Sequence, residues 1–416
     1  MKMNYYHKAL IVAAVAIFYT NVPLYVYANY GSTGLAAPKY WLIMFCLLSL
    51  PLLVLQKTAW NALKSPVTIW CVGYAWLTVL WFFPSSQSEI VWQEVRWRFL
   101  AIAQILVFLM IFVEPNAVRL ARKTLVIAVL VAVAINIYEL FYPMSFSLVL
   151  GRSAGLYINP GMAGEALVLG MIVSATVLAR RYRGPFILLI GIGILTTFSR
   201  AAILAWVLSV AGFIVVGRLS LRNLLASCAM GLLLAMLLLL PRWDQLLATW
   251  ERTGTINVNV QERLAWFTDP FGISDDSSWE RKYVAQRAWT TISENPVIGS
   301  GTGSSYEAPV PPHNQYLSFM QDHGLIGVII LPLLIFAATW GARGEKGRVA
   351  IVFGCTIIML SLSTNMIFND SYSLMLLSLM AAMSATSGDS DFKRVAIETR
   401  KQEWRGGDSA RVSGAM

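Results

Sequence analysis

The sequence predicts an all-α polytopic integral membrane protein with about 12 transmembrane helices, and three observations support this. Apolar residues make up 57% of the 416 and charged residues only 13%, with a mean hydropathy of +0.62, a composition foreign to soluble domains. Apolar stretches of about 17 to 20 residues recur, the length at which a helix crosses the roughly 30 Å hydrocarbon core of a bilayer. The cations gather in the short links between those stretches: Lys57 and Lys64, Arg119 to Lys123, Arg180 to Arg183, Arg218 and Arg222, and Arg343 to Arg348. That is the positive-inside pattern, and it explains the net charge of +10 as membrane topology; a nucleic-acid partner is not expected.

Taken in order, the apolar runs predict spans near 8–24, 40–56, 65–82, 98–114, 124–140, 161–179, 184–198, 201–217, 223–240, 324–341, 349–364 and 369–385. The opening MKMNYYHKALIVAAVAIFYT has the basic start and apolar run of a secretory signal but no small-residue cleavage site, so it is expected to stay as the first helix. With the N-terminus inside, every basic link falls on the cytoplasmic face, and the links near 25–39, 84–97, 141–160 and 365–368 fall outside. The seventh and eighth runs meet at TTFSRAA with no ordinary loop, either as a tight outer hairpin or as one long helix. The basic links favour the hairpin. Cys46, Cys71, Cys228 and Cys355 all lie in apolar segments without metal-ligand spacing, so neither a disulfide framework nor a zinc site is expected.

One long polar stretch interrupts the pattern, giving four regions: helices 1–9 over 1–241, an outer loop with its own helices over 242–323, helices 10–12 over 324–386, and a tail over 387–416. In the loop, ERKYVAQRAWTTISEN has helical spacing, with Val284 and Ala288 four apart, and Asn295-Pro296 ends it. GSGTGSS then turns the chain, and two prolines stiffen the approach to His313. The next helix runs from the interface into the membrane, which puts position 313 near the membrane surface. The tail mixes charged residues with Gly and Ser and shows no apolar face, as a disordered cytoplasmic end would.

Charged residues inside or beside apolar segments are the candidates for chemistry. Arg200 sits within ILTTFSRAAILAWV, where an unpaired guanidinium in lipid is costly. It either snorkels or pairs with an acid, or it binds a phosphate-rich ligand through its planar donors. Arg152 lies on an outer link before Asn159-Pro160, a cap and first-turn proline. Glu165, if within the membrane, is read as balancing an arginine. Arg281 and Arg287, six apart, do not share a helix face; both are solvated, or one points inward. His313 titrates near neutral pH and precedes Asn314, whose amide is suited to holding a ring or substrate oxygen. Asp370, at the outer end of the last span, is placed to pair with an arginine, orient a histidine or cap a helix.

In GLYINPGMAGEAL, TTFSRAA, ENPVIGSGTG and PPHNQYLSFMQDHGLIG, the chain resembles the bacterial O-antigen ligase and polymerase superfamily over roughly residues 100–385, and within it the O-antigen ligases most. The resemblance implies a GT-C-like fold. It also implies transfer of a glycan from undecaprenyl diphosphate to a sugar hydroxyl of lipid A-core, at the periplasmic face of the bacterial inner membrane, with both termini cytoplasmic. The reaction would be inverting and need neither metal nor cofactor. The family's transmembrane arginine matches Arg200, its loop arginine Arg281, its loop histidine His313 and its acidic residue near the last span Asp370. Arg287, Arg263, Arg152 and Asn314 are further candidates for substrate contacts. Two departures are Gly161, where the family has asparagine after the NP pair, and the additional Arg287. O-antigen polymerase, protein O-oligosaccharyltransferase and a lipid-linked sugar transporter remain alternatives.

Overall fold

The computed structural model describes residues 3–31, 37–239, 241, 243–255, 257–265 and 276–386, and among them every regular element is helical. The tail expected over 387–416 lies outside the described residues.

The chain opens with Tyr5–Ala13 (α1), a π-helical stretch Ala14–Tyr19, and Val22–Tyr30 (α2), bent by 52° at the intervening break. Pro38–Leu55 (α3) leads to a 3₁₀ helix, Lys57–Lys64, which meets Pro66–Phe82 (α4) at 65°. Glu89–Phe112 (α5) and Pro115–Phe141 (α6) are the long central pair, followed by Pro160–Ser174 (α7) and its 3₁₀ extension Ala175–Val177. Proline begins α3, α4, α6 and α7. Its fixed φ suits the first helical turn, and its missing N–H would have had no partner there. At α7 the expected cap is present, with Asn159 Oδ1 accepting from Gly161 N at 2.8 Å.

Arg180–Leu195 (α8) and Arg200–Val215 (α9) form the tight hairpin that the basic links favoured. Trp206 Nε1 donates to Ile187 O at 3.2 Å, which requires the two helices to fold back on each other. Leu221–Leu239 (α10) precedes the polar region, which holds Trp243–Arg252 (α11), Val258–Ala265 (α12), Asp276–Glu294 (α13) and Gln315–His323 (α14). On α13 the expected pair Val284 and Ala288 is buried together with Ile292, while Tyr283 and Trp289 face outward. Gly327–Thr339 (α15), Gly344–Leu360 (α16) and Ser371–Ala385 (α17) complete the bundle.

Among the described residues, five helices are long and apolar enough to cross a membrane: Pro38–Leu55, Glu89–Phe112, Pro115–Phe141, Pro160–Val177 and Gln315–Thr339. Counting each bent pair as one span raises this to seven. Helices also stand at the further positions expected to span, but α8, α9, α16 and α17 have only 16, 16, 17 and 15 residues.

The core lies around α7 and α17, whose residues are buried on all sides, as expected of helices apolar all round. α17 packs along α5 and α15, and α7 against α6, α9 and α16. Small residues permit this: a Cβ on Gly164 would stand 2.5 Å from the Ala202 methyl of α9. The serines of α17 satisfy their hydroxyls on backbone, Ser378 donating to Ile105 O at 3.1 Å and Ser384 to Ala338 O at 2.9 Å.

Candidate functional site

At one end of the bundle, four arginines from separate parts of the sequence converge. The first is carried by the 142–159 link between α6 and α7, which is held by one carboxylate. Glu139, buried in the last turn of α6, accepts from Phe146 N at 3.0 Å and from Ser147 N through Oε1, and from Ala154 N at 2.8 Å and Gly155 N at 2.9 Å through Oε2. A segment with no regular ladder thus gains partners for four backbone donors. The link then joins the α8–α9 turn, with Ser153 N donating to Thr196 O and Arg152 Nε to Thr197 O, both at 3.0 Å. Arg200, first residue of α9, follows that turn directly.

The other two arginines come from the polar region. Gly151, at φ +78°, lies so close to the α11–α12 connection that a Cβ would stand 2.5 Å from Thr255 O, and Asn257 Nδ2 donates to Leu150 O at 3.0 Å. Asn257 Oδ1 also caps α12, accepting from Val260 N at 3.1 Å. α12 carries Arg263 and α13 carries Arg281. The convergence is visible in Arg152, whose guanidinium is held below its ordinary range, first by burial and then by the positive charges of Arg263, Arg281 and Arg200. Such crowding of cations favours an anion that neutralises them.

Arg281 also links this cluster to a histidine and a carboxylate. His313 is solvent-exposed, yet partial desolvation, followed by the charge of Arg281, lowers its basicity, with Glu280 opposing. The imidazole is therefore biased toward its neutral form, able to accept a proton. Asn314 is committed locally: its Oδ1 caps α14, accepting from Tyr316 N at 2.9 Å and Leu317 N at 3.1 Å. Arg287 donates to Val310 O at 3.2 Å and so braces the strand of chain leading to His313. The charge of Arg281 also reaches Glu165 on α7. Tyr372 Oη donates to Glu165 Oε2 at 3.3 Å. Asp370, the residue before α17, is within electrostatic reach of Glu165, and its buried Oδ2 has no hydrogen-bond partner among the described residues.

A second polar network beneath the loop was not anticipated. Arg98 on α5 bonds Glu94 at 3.1 Å and Asp322 of α14, and its Nη1 lies 2.8 Å from His323 Nε2. Arginine only donates, so that imidazole is neutral with its proton on Nδ1. Asp322 in turn accepts from Gly303 N at 3.1 Å, Ser304 Oγ at 3.1 Å and Ser305 N at 2.9 Å, which fixes the glycine-rich turn against α5 and α14. The signal for this network was Glu94 and Arg98 four apart at the head of an apolar helix, one face of a turn. Glu139 offered no comparable signal. Among the described residues no group of three or more His, Cys, Asp or Glu side chains is placed to hold a metal ion.

Fold and site together define a multi-pass helical membrane protein that gathers guanidinium groups, a histidine and buried carboxylates at one end of its bundle. Residues 185–332 match the family model described as O-antigen ligase, which supports assigning the chain to the O-antigen ligase/polymerase superfamily and indicates a function of that type, on lipid-linked glycan and lipid A-core type substrates in general. The match includes Arg200, Arg263, Arg281, Arg287, His313 and Asn314, whereas Arg152, Glu165 and Asp370 lie beyond it. No curated protein matches the chain.

Proposed function

We propose that the protein is an O-antigen ligase that moves a glycan from undecaprenyl diphosphate to a sugar hydroxyl of lipid A-core at the periplasmic face of the inner membrane. The observation that carries this reading is the position of Arg281, whose charge acts on Arg152 within the arginine cluster, on His313 and on Glu165. A diphosphate presents several anionic oxygens, and guanidinium groups match them with planar pairs of donors. Arg200, Arg281, Arg263 and Arg152 hold the diphosphate and stabilise the charge that grows on it as it leaves. The acceptor oxygen attacks the anomeric carbon while the carbon–oxygen bond to the diphosphate breaks, its electron pair leaving with the phosphate. His313 takes the hydroxyl proton. Attack from the face opposite the leaving group inverts the anomeric centre.

Purified full-length protein supplied with labelled lipid-linked glycan, with and without lipid A-core, tests the reading. Label on the core, lost in His313→Ala and Arg200→Ala proteins that fold normally, is the expected result. Longer lipid-linked chains formed without core would make the protein a polymerase. Retained anomeric stereochemistry would overturn the single-displacement mechanism.

A further inference from the structure

The bundle end opposite the arginine cluster carries a charged cavity. α6 begins there and reaches the Arg152 link only after 27 residues, about 40 Å at 1.5 Å per residue. The cavity, of about 400 Å³, opens between the end of the Lys57–Lys64 helix, the start of α4 and the ends of α15 and α17. Lys64 and Arg343 stand on its wall. Neither side chain has a hydrogen bond or ion pair to any described residue.

Neighbouring cations at this end behave differently. Arg183 and Arg218 both bond Glu345 at 3.3 Å, Lys346 donates to Thr386 Oγ1 at 2.8 Å, Arg348 to Val216 O at 3.1 Å and Arg122 to Val173 O at 2.8 Å. Those side chains are spent on holding helix ends together. Lys64 and Arg343, both exposed, instead flank a space whose buried floor is apolar, formed by Leu109, Ala381 and Ala382. Trp340 stands on the rim, the position an indole takes at a membrane–water interface. The 3₁₀ helix that carries Lys64 is turned 65° from α4 and exposes Trp60 and Leu63 beside its lysines, as a helix lying in the interface does.

We infer that this cavity binds an anionic phospholipid, its phosphate between Lys64 and Arg343 and the first carbons of its chains over the alanine floor. The arginine supplies a planar pair of donors and the lysine a point charge, and the apolar floor distinguishes a lipid from a free phosphate. Basic pockets between helix ends on one membrane face recognise headgroups in this way.

The test uses delipidated full-length protein in detergent, with lipid binding read by native mass spectrometry. Phosphatidylglycerol and phosphatidylcholine of matched chains are compared, with glycerol 3-phosphate as a soluble competitor. Phosphatidylglycerol should bind more tightly. The double variant Lys64→Gln/Arg343→Gln should weaken it about thirtyfold, each charge contributing roughly fivefold. Lys57→Gln, on the same short helix but outside the cavity, and the conservative Arg343→Lys should both keep the preference. Equal binding of the two lipids, an unchanged double variant, or displacement by glycerol 3-phosphate at matching concentration would each overturn the assignment. Because lipid binding is measured without glycan transfer, failure here leaves the ligase reading untouched.

Discussion

Replacing Glu139 by glutamine changes one oxygen for an amide and almost nothing in shape, yet it should loosen the link that carries Arg152. The carboxylate accepts from two backbone N–H groups on each oxygen. The glutamine amide keeps one acceptor and turns an NH₂ toward the other pair, so two buried donors face a donor. Each buried group left without a partner costs about 1–3 kcal/mol, so the substitution should cost about 2–6 kcal/mol. Part of this falls on local opening of 146–155 and part on the whole bundle.

Hydrogen exchange separates these. At 2 kcal/mol of local destabilisation, amides of the affected pair should exchange roughly thirtyfold faster, while those in α7 and α17 change little. Arg152 should lose its fixed position with the link, so binding of a diphosphate-bearing lipid should weaken although no cation was removed. Wild-type exchange at Phe146, Ser147, Ala154 and Gly155 in a folded Glu139→Gln protein would refute the idea that this carboxylate organises the link.

Three other outcomes follow from the same geometry. Arg281→Gln removes the positive charge that disfavours protonation of His313, so the histidine's pKa should rise. Transfer depending on neutral His313 is lost as pH falls through that pKa, so the acidic limb of the rate profile should move to higher pH; an unmoved limb would separate the two residues. Arg98→Ala leaves Asp322 and Glu94 buried without their cation, a change worth about 3–5 kcal/mol, and thermal unfolding should occur well below wild type. Gly164→Ala forces a methyl to within 2.5 Å of Ala202 Cβ across the α7–α9 contact, and overpacking of this kind costs about 1–3 kcal/mol, measurable as a lower unfolding midpoint.

Local signals in the sequence were reliable where local physics sets the outcome. Asn159-Pro160 begins α7 because a side-chain cap and a fixed φ act within one turn, and Asn295-Pro296 follows the end of α13 for the complementary reason. Charge asymmetry between links favoured the TTFSRAA hairpin, which the Trp206–Ile187 bond then requires. The candidate cations were visible individually, since arginine beside apolar sequence is costly enough to need a reason. Their convergence was not visible. It depends on Glu139 folding a link of irregular backbone and on Asn257 bridging to Leu150, 107 positions away. Asn314 shows how one side chain divides its groups, since its oxygen caps the first turn of α14 and leaves the amide N–H donors to hold an oxygen. Glu165, expected to balance an arginine, is within electrostatic reach of Arg281 and also bonded to Tyr372 and near Asp370, neighbours that no local signal gave.

The commitments of three carboxylates bear on the proposal that the arginine cluster serves a ligand. At this end of the bundle Glu139 spends both oxygens on backbone donors, while Glu94 and Asp322 are committed to Arg98 and the glycine-rich turn. Glu139 fixes the link that carries Arg152 and Asp322 fixes the glycine-rich turn, and none of the three is among the charges acting on Arg152, which are other guanidinium groups. The crowding of Arg152 by other cations opposes its own charge, and local choices that oppose one another raise the energy of the fold. Violations of that consistency concentrate at functional sites. Removing one of the crowded cations should therefore separate stability from function. In Arg152→Gln, which removes one of those cations and keeps an amide donor, the unfolding temperature should hold or rise while affinity for a diphosphate-bearing lipid falls. A lower unfolding temperature with unchanged affinity would mean that the arginines serve the fold and do not bind that anion.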